Sequence, residues 1–373
     1  MYELTGQYNT ARVYADHIEE AAEEQIRNFL DSIHAYPEIG EGKPRSLIAI
    51  MPDCHAGKGC VVGFTQVLHS DHVVPSLVGC DIGCGMLAVK LGGHEFGRQG
   101  LKRLDEACHN TIRSGPGVWD KPLPAAKLIE DDLKRMKADI NLPRALQSIG
   151  TLGGGNHFVE LDRSNDGSHW LVIHTGSRHL GLEVEAWHTE RAQVIDRGIR
   201  AVIGQHFHDY IEDMRIAQAF ASLNRDTVLN QIMSHLGFKN VGERIETIHN
   251  YIDMQSMIVR KGAIRLLDGE RAIIPMNMSD GSLIVVGKGN PEWNFSGPHG
   301  AGRLLSRGKA KKNLMMEEFE KSMEGIYSTT VCKDTLDESK MAYKPMEDIV
   351  AAIGDTCTVC EVVKPVYNFK ATR

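Results

Sequence analysis

The feature that most constrains this chain is a recurring arrangement in which an apolar run ends in a glycine- or asparagine-bearing loop with a histidine, aspartate or cysteine. It is found at positions 47–59, 78–86, 150–160, 170–178 and 248–251, and a last glycine-rich loop with a histidine occupies 297–303. Binding and catalytic residues concentrate in loops that a rigid scaffold positions. The repetition therefore predicts a fold in which the ends of strands converge on one polar centre.

The spacing of apolar residues predicts alternating strands and helices, and no Pro/Ser-rich linker divides them. We expect one large α+β domain over residues 1–373, with mixed β-sheets around the polar centre and the helices packed outside. The methionines and aromatic residues of the longest helical segment are expected to belong to the core. The expected helices cover 17–34, 95–108, 125–139 and 203–236, the last broken near 224–226, and the expected strands cover 47–51, 61–67, 170–173, 263–274 and 282–286.

Charge and cysteine content limit the class of protein. A formal net charge of −7 argues against indiscriminate coating of nucleic acid, although it leaves room for a local basic groove. The eight cysteines show no disulfide-scaffold spacing, and Cys357 and Cys360 lack the second pair that a zinc site needs, so we expect them to be structural. The amino end carries no basic and apolar leader, and no apolar run reaches the ~20 residues of a membrane span. We therefore expect a cytoplasmic protein with no membrane association.

Two loops are candidates for catalysis. In loop 297–303, His299 stands among glycines that let a ligand approach its imidazole, which makes it a candidate nucleophile. The alternative is a surface turn with an incidental histidine. At the end of the strand 47–51, Asp53, Cys54 and His55 indicate either a functional site or an aspartate turn with a packed cysteine.

A further group of residues predicts a metal site. Asp81 and Cys84 stand three apart with a glycine between, so one curled loop can aim a carboxylate and a thiolate at the same point. Alone, this pair is also typical of a buried structural cysteine. Together with His157, His174 and His249 it indicates two metals that share the thiolate. A thiolate favours zinc, whereas imidazole and carboxylate also permit manganese or iron.

The motifs MPDCHAGKG, CDIGCGM, GTLGGGNHFVE, HTGSR, HNY and HGAGR occur in this order between positions 51 and 303. In this respect the chain resembles the RtcB RNA-splicing ligases, and in particular their shorter paralogue group. The resemblance implies a GTP- and manganese-dependent ligase that joins RNA ending in a 2′,3′-cyclic phosphate or 3′-phosphate to RNA with a 5′-hydroxyl. It implies an α+β domain built around a dinuclear metal site and a role in RNA repair or processing.

The resemblance also implies roles for individual residues. His299 would attack the α-phosphorus of GTP and carry GMP as a covalent intermediate. One Mn²⁺ would be held by Asp81, Cys84 and His157, and the other by Cys84, His174 and His249. RNA phosphates are expected at Arg178, Arg260, Lys261 and the basic run 307–312. The implied nucleotide pocket comprises Asn156, His157, Phe158, Val159, Glu160, His249, Asn250, Pro275, Met276, Asn277, Met278, Ser282, His299, Gly300, Ala301, Gly302 and Lys370.

Within this pocket, Glu160 is suited to accept hydrogen bonds from N1 and N2 of guanine, which adenine does not offer in that arrangement. Two other functions remain open at this point: a dinuclear metal phosphoesterase that only opens cyclic phosphates, and a non-catalytic module that binds nucleotides or RNA. The sequence leaves open which RNA is used, whether the role is splicing or repair, the oligomeric state, and the need for an accessory protein.

Overall fold

The computed structural model describes residues 1–33, 47–68, 72–92, 95–239 and 241–371, so His34, the last residue of the first expected helix, lies outside the described residues. From the amino end the elements are β1 (Tyr2–Thr5), β2 (Thr10–Val13), α1 (Glu20–Leu30), β3 (Ile48–His55), β4 (Val62–Val67), β5 (His72–Val73), β6 (Gly85–Leu91), α2 (Arg98–Thr111), β7 (Arg113–Ser114), α3 (Glu130–Arg135), α4 (Leu142–Ser148), β8 (Thr151–Gly153), β9 (Phe158–Arg163) and β10 (His169–Thr175). There follow α5 (Arg178–Arg191), β11 (Gln193–Asp196), β12 (Ile199–Ile203), α6 (Gln205–Leu236), β13 (Arg244–Ile248), β14 (Asn250–Asp253), β15 (Ile258–Lys261), β16 (Ala263–Arg265), β17 (Arg271–Asn277), β18 (Gly281–Gly287), β19 (Ser296–Pro298), α7 (Arg307–Asn313), α8 (Met316–Ser322), α9 (Met346–Ala352) and β20 (Cys357–Lys370).

Two large sheets organise these strands. One has the order β1-β2-β3-β4-β15-β14 and the other the order β13-β6-β10-β9-β20-β18-β17. Most neighbouring strands are antiparallel, whereas β2 and β3 run parallel. The expected mixture of helices and mixed sheets is therefore confirmed.

The strand β10 in the seven-stranded sheet is apolar from Trp170 to Ile173 because both faces of the sheet are covered there. All seven residues of β10 are buried. Leu171 and Ile173 pack with Val228 and Ile232 of α6 on one face, whereas Val172 belongs to a second apolar cluster on the other face. A strand buried on both faces reads as a continuous apolar run, as this segment does in the sequence.

The long helix α6 differs from expectation in one way. It runs unbroken from Gln205 to Leu236, so the break near residues 224–226 is wrong. One side of α6 lies in the core, where Tyr210 and Phe220 belong to the largest apolar cluster and Ile232 to the cluster beneath the seven-stranded sheet. The other side is exposed at His208, Glu212 and Arg215. The expectation that its methionines and aromatic residues are core residues is confirmed for Phe207, Tyr210, Met214, Phe220 and Met233, which are all buried.

The polar residues that suggested the break in α6 have partners inside the molecule. The Asn224 side chain accepts hydrogen bonds from the backbone N–H of Gly150 and Thr151 at 2.7 and 3.2 Å. Arg225 donates to the carbonyl oxygens of Gly83 and Thr175 at 2.9 and 2.8 Å. Both side chains are fully buried, so α6 uses them to hold loops in place and no turn is needed.

The remaining expected elements agree with the structure in type, with shifted ends. The expected helix 125–139 is a 3₁₀ turn at Pro124–Leu128 followed by the short helix α3. The apolar stretch 263–274 is divided between β16 and β17. Among the described residues, no helix is long and apolar enough to cross a membrane.

Candidate active site

The turn before β6 fixes the position of Cys84. Gly83 has a φ of 70°, and a Cβ at this position would lie 2.8 Å from the Cα of Gln218 in α6, so only glycine fits without displacement. Its N–H donates to the carbonyl of Asn250 at 2.7 Å, and its carbonyl accepts from Arg225 at 2.9 Å. The thiol that follows is therefore held at the start of β6 by two distant parts of the chain.

Cys84 lies between two groups of possible metal ligands. The ligand atoms of Asp81, Cys84 and His157 lie within 4.8 Å of one another, and so do those of Cys84, His174 and His249. The Cys84 Sγ is 3.5 Å from Nε2 of His157 and 3.3 Å from Nε2 of His174. The structure thus brings together all five residues that the sequence indicated as metal ligands.

Hydrogen bonds indicate which ring nitrogen of two histidines faces this cluster. Nδ1 of His157 lies 2.9 Å from the Leu152 carbonyl, and Nδ1 of His174 lies 3.2 Å from the Asn156 carbonyl. A carbonyl only accepts, so Nδ1 of His174 carries the proton and its Nε2 presents a lone pair. Nδ1 of His157 also lies 3.1 Å from Nη1 of Arg178, which donates, and Nε2 of His157 lies 3.1 Å from the Oδ2 of Asp81. This Nε2 can donate to Asp81, and after losing that proton it can bind a metal beside the carboxylate, so the donor set fits a metal.

The charge states of the cluster are set by burial. Burial lowers the pKa of His157, and lowers the pKa values of His174 and His249 well below the usual value, so the rings are neutral and able to bind a metal. Burial and the neighbouring Asp81 carboxylate raise the pKa of the Cys84 thiol well above its usual value. Burial acts to raise the pKa of Asp81 as well, but the hydrogen bond from His157 and the charge of Arg178 outweigh it and lower this pKa to about 2. Cys84 therefore needs a bound cation to become a thiolate near neutral pH.

His299 is held by a buried carboxylate. The Oδ2 of Asp53 lies 2.6 Å from Nδ1 of His299 and also accepts the backbone N–H groups of His299 and Gly300, at 3.1 and 3.2 Å. Asp53 is fully buried at the end of β3. Nδ1 therefore carries the proton, and Nε2 is the nitrogen with a lone pair for nucleophilic attack.

His299 stands in the wall between two cavities. The first has a volume of about 380 Å³ and includes Glu160 and Lys370 in its lining. The second, of about 260 Å³, reaches the metal-ligand cluster at Asp81, Cys84 and His249. Both are lined by His55, Asn156 and His299. The candidate nucleophile is therefore accessible from both sides.

Most of the implied nucleotide pocket lines these cavities, with a few exceptions. Val159 and Ser282 are fully buried and line neither cavity, and the Val159 side chain belongs to the apolar cluster on the far face of the sheet. His157 is buried in the metal-ligand cluster. The first cavity is lined by Asn156, Phe158, Glu160, Pro275, Met276, Asn277, Met278, His299, Gly300, Ala301, Gly302 and Lys370, and the second by His249 and Asn250.

One wall of the first cavity is an ionic network that the sequence did not indicate. Glu338 lies 2.8 Å from Nζ of Lys370 and 2.6 Å from Nη1 of Arg307, and it accepts from the Tyr343 hydroxyl at 2.7 Å. Burial acts to raise the pKa of Glu338, but Lys370, Arg307 and Arg303 lower it to about 2. A permanent negative charge therefore fixes the Lys370 ammonium in the wall of the cavity.

Two of the residues expected to bind RNA phosphates are buried and have protein partners. Arg260 is fully buried and donates to Ser296, Tyr251 and the Asn294 carbonyl, so it is not available to a phosphate. Lys261 is buried too, and its ammonium donates to the carbonyls of residues 58, 60 and 76. Because Lys261 also lines the second cavity, its role at RNA phosphates stays a prediction.

The other basic candidates are divided between internal and external positions. Arg178 lies 3.1 Å from His157, and Arg307 is paired with Asp337 and Glu338. Lys309 and Lys312 of α7 are exposed. These two lysines remain available to a phosphate.

Cysteines outside the metal-ligand cluster occupy structural positions. Cys54 packs in the largest apolar cluster, as the structural alternative for this loop expected, while its neighbour Asp53 accepts a hydrogen bond from His299. On β20, Cys357 is buried whereas Cys360 is exposed, so the two thiols are poorly placed to bind the same metal ion.

Glu338, Arg303 and Tyr343 were not indicated by the sequence, and Asp53 was indicated only as a member of a candidate loop. For Asp53 a signal existed, because it ends an apolar strand beside Cys54 as the predicted ligands end theirs. Glu338 lies in a 3₁₀ turn of ordinary polar composition at Lys333–Glu338, and no spacing distinguishes it.

Comparison with known proteins agrees with this geometry. The family model for the tRNA-splicing ligase RtcB matches residues 43–140 and 130–371. The RNA-splicing ligase RtcB of Escherichia coli K12 is 31% identical over 368 residues, covering 87% of this chain and 90% of the relative. RtcB2 of Escherichia coli ATCC 25922 is 29% identical, covering 86% of each chain, and the tRNA-splicing ligase RtcB of Aeropyrum pernix is 27% identical, covering 87% of each. The matched segments span the metal-ligand cluster, both cavities and His299, and the chain belongs to the RtcB family.

Proposed function

We propose that this protein is a GTP- and manganese-dependent RNA ligase that joins a 2′,3′-cyclic phosphate or 3′-phosphate end to a 5′-hydroxyl end. The observation that carries the proposal is the position of His299, whose Nδ1 is bound by buried Asp53 and whose ring lines both the nucleotide-sized cavity and the cavity at the metal-ligand cluster. A phosphoesterase that only opens cyclic phosphates has no use for such a histidine. A protein that only binds nucleotides has no use for the adjacent cysteine-centred ligand cluster.

The first step uses the lone pair on Nε2 of His299. This nitrogen attacks the α-phosphorus of GTP, a N–P bond forms, the bond to the bridging oxygen breaks, and pyrophosphate leaves. The ring gains positive charge as the bond forms, because Nδ1 keeps its proton. The Asp53 carboxylate, 2.6 Å from Nδ1, stabilises that charge and keeps the ring in the reactive orientation.

The first cavity is proposed to hold the guanine nucleotide. Glu160 offers carboxylate oxygens to N1–H and N2–H of guanine, while adenine offers no such pair of donors. Lys370, held by Glu338 and by the Asn156 carbonyl at 3.0 Å, places a positive charge at the same wall. A cavity with apolar Phe158 and a few fixed polar groups is typical of a nucleotide site.

The metal-ligand cluster is proposed to hold two Mn²⁺, one bound by Asp81, Cys84 and His157 and the other by Cys84, His174 and His249. A bound pair of cations neutralises phosphate charge and lowers the pKa of an attacking hydroxyl. The histidines contribute neutral rings, and two of them are oriented by the carbonyls of Leu152 and Asn156.

The RNA ends are proposed to meet in the second cavity. At a 2′,3′-cyclic phosphate end, water first breaks the bond to the 2′-oxygen and leaves a 3′-phosphate. GMP passes from His299 to the RNA 3′-phosphate, and the 5′-hydroxyl of the other end then attacks that phosphate and displaces GMP. The phosphodiester bond replaces the phosphate–GMP bond, and the hydroxyl proton is lost to solvent or to a neighbouring base. Lys58, which lines this cavity and is exposed, is available to the RNA backbone.

We propose further that residues 1–373 act as one domain and that the protein works in the cytoplasm. The site draws on strands and loops from β3 to β20, so no shorter segment contains it. A reducing compartment keeps the Cys84 thiol available as a metal ligand.

Labelling with GTP tests the proposal directly. Incubation with α-labelled GTP and Mn²⁺ should leave an acid-labile label on the wild-type protein and none on His299→Ala. The matched control is His109→Ala, because His109 lies in α2, outside both cavities. Absence of label on the wild type, or an equal label on His299→Ala, would overturn the proposal.

A further inference from the structure

A second carboxyl group lies behind Glu160. Asp162 follows two residues later on β9, so both side chains project from the same face of the strand. Glu160 is 2% exposed and lines the first cavity, whereas Asp162 is 0% exposed and does not. The cross-strand partners on β10 are Val172 for Glu160 and Trp170 for Asp162, and both belong to an apolar cluster. Two acidic groups therefore share an apolar environment beneath the proposed guanine position.

The two carboxyl groups differ in their hydrogen bonds. Oε2 of Glu160 accepts from Nδ2 of Asn368 at 2.6 Å. Among the described residues, no N–H or O–H group makes a hydrogen bond of ordinary geometry to either oxygen of Asp162. Its polar neighbours are the Glu160 carboxyl and the Ser282 hydroxyl. A carboxylate with no donor in an apolar environment is strongly disfavoured, and a proton on one of the two groups removes the cost.

The charges around the pair indicate which group keeps the proton. Burial raises the pKa of Glu160 to about 7, although hydrogen bonds from Asp162 and Asn368 and the charge of Lys370 act to lower it. Burial and then the charge of Glu160 raise the pKa of Asp162 well above its usual value. Lys370, on β20, is the cation that acts on Glu160, and the facing residues on β10 are apolar. Asp162 is therefore the neutral member near pH 7.

We propose that Asp162 is a positioning residue that stays protonated and donates a hydrogen bond to the Glu160 carboxylate. Guanine binding is then linked to the protonation of this pair. The inference rests on the proposed role of Glu160 as the group that binds guanine. Asn368 donates to one Glu160 oxygen, and a hydrogen bond from the Asp162 O–H to the same carboxylate would fix its plane. The remaining lone pairs are then directed at N1–H and N2–H of the base.

Two substitutions test whether Asp162 acts as a hydrogen-bond donor or only fills space. Asp162→Asn keeps the shape and offers an amide donor to Glu160, whereas Asp162→Leu offers none. We expect the affinity of the wild type for GMP, measured with Mn²⁺ present, to rise as pH increases through about 7, because ionised Glu160 accepts both guanine donors. Asp162→Asn should keep this affinity and this midpoint. Asp162→Leu should bind GMP about tenfold or more weakly at pH 7, as expected for loss of a hydrogen bond to a charged group, with its midpoint moved to higher pH.

Thermal unfolding of both variants shows whether each is folded at the temperature of the binding measurement. A purely structural role for Asp162 would lower thermal stability without moving the pH midpoint. The inference is overturned if Asp162→Leu matches the wild type in affinity and midpoint, or if Asp162→Asn loses as much affinity as Asp162→Leu.

Infrared spectroscopy tests the shared proton without any nucleotide. Above pH 7 the wild type should show the carbonyl stretch of a buried protonated carboxyl group, and Asp162→Asn, in which Glu160 keeps its midpoint, should lack it. Absence of this band in the wild type overturns the inference even where GMP binds. Failure of the wild type to bind GMP at any pH overturns the proposed guanine pocket, and the infrared band then shows separately whether the pair holds a proton.

Discussion

Two aspartates buried behind the nucleotide cavity, Asp53 and Asp162, have opposite surroundings. Both side chains are fully buried. Three N–H groups converge on Oδ2 of Asp53, two from the backbone and one from the ring of His299, whereas neither oxygen of Asp162 receives a donor of ordinary geometry from the described residues. The comparison shows that two equally buried carboxyl groups can differ completely in the hydrogen-bond donors that surround them, which is the basis of the different roles proposed for them.

The largest effect is expected for Asp53→Asn. The amide can donate to the ring of His299 and so favours the tautomer with the proton on Nε2, which has no lone pair for attack. We expect the rate of covalent labelling by GTP to fall by about 10²–10⁴-fold, with GMP binding retained. The matched variant Asp162→Asn should label at nearly the wild-type rate. Equal losses in the two variants would remove the distinction between the aspartates.

The same contrast can be tested for two arginines that share Glu246. Arg225 is buried and donates to the carbonyls of Gly83 and Thr175, whereas Arg244, whose side chain is 39% exposed, pairs with Asp226 and Glu246. We expect Arg225→Met to lower the free energy of unfolding by about 3 kcal/mol, because two buried carbonyls lose their donor. Arg244→Met should cost less than about 1 kcal/mol. Denaturant unfolding measures the loss of stability in both variants. Similar losses would show that the hydrogen bonds from buried Arg225 contribute no more than the exposed ion pairs of Arg244.

The comparison also assumes that neither aspartate holds the cations. Cys84→Ser removes the thiol common to both ligand groups and should weaken Mn²⁺ binding by about 10–100-fold, as measured by titration followed by electron paramagnetic resonance. Cys80→Ser, in the same loop at an exposed position, is the matched control and should bind Mn²⁺ normally. Asp53→Asn should also bind Mn²⁺ normally, and a loss there would place Asp53 among the metal ligands.

The smallest expected effect concerns Glu160. Because burial raises its folded-state pKa to about 7, the fraction of ionised Glu160 falls as pH drops through 7, and GMP affinity should fall with it. Glu160→Gln should bind GMP about tenfold more weakly above that pH and show no dependence on pH across it. Calorimetric titration at several pH values measures this. If the affinity of the wild type for GMP is constant across pH 7, Glu160 does not titrate in this pH range.

Much of the site was predictable because its residues occur in short sequence patterns that can be recognised without knowledge of the fold. The predicted metal ligands lie in loops next to strands or, for His174, near the end of a strand, and the structure brings their ligand atoms close together. Glycine marks such places in a sequence because few other residues fit there, as Gly83 shows against α6.

What the sequence could not predict depends on the direction in which a polar side chain points. Asn224 and Arg225 looked like a helix break, and Arg260 looked like a phosphate ligand, because polar residues are usually exposed. All three are buried with partners that are distant in the sequence. Asp162 gave no signal for the same reason, since its importance arises from the apolar residues that surround it in three dimensions.

The shared wall at His299 has a consequence for the order of events in the proposed reaction. An imidazole that lines two cavities can accept a nucleotidyl group from a ligand in one cavity and transfer it to a ligand in the other. The ring need not rotate or become exposed to solvent between the two steps. In the proposed reaction, GTP and RNA therefore need not enter by the same route. An enzyme that already carries GMP on His299 can release pyrophosphate and remain in that state until a broken RNA binds.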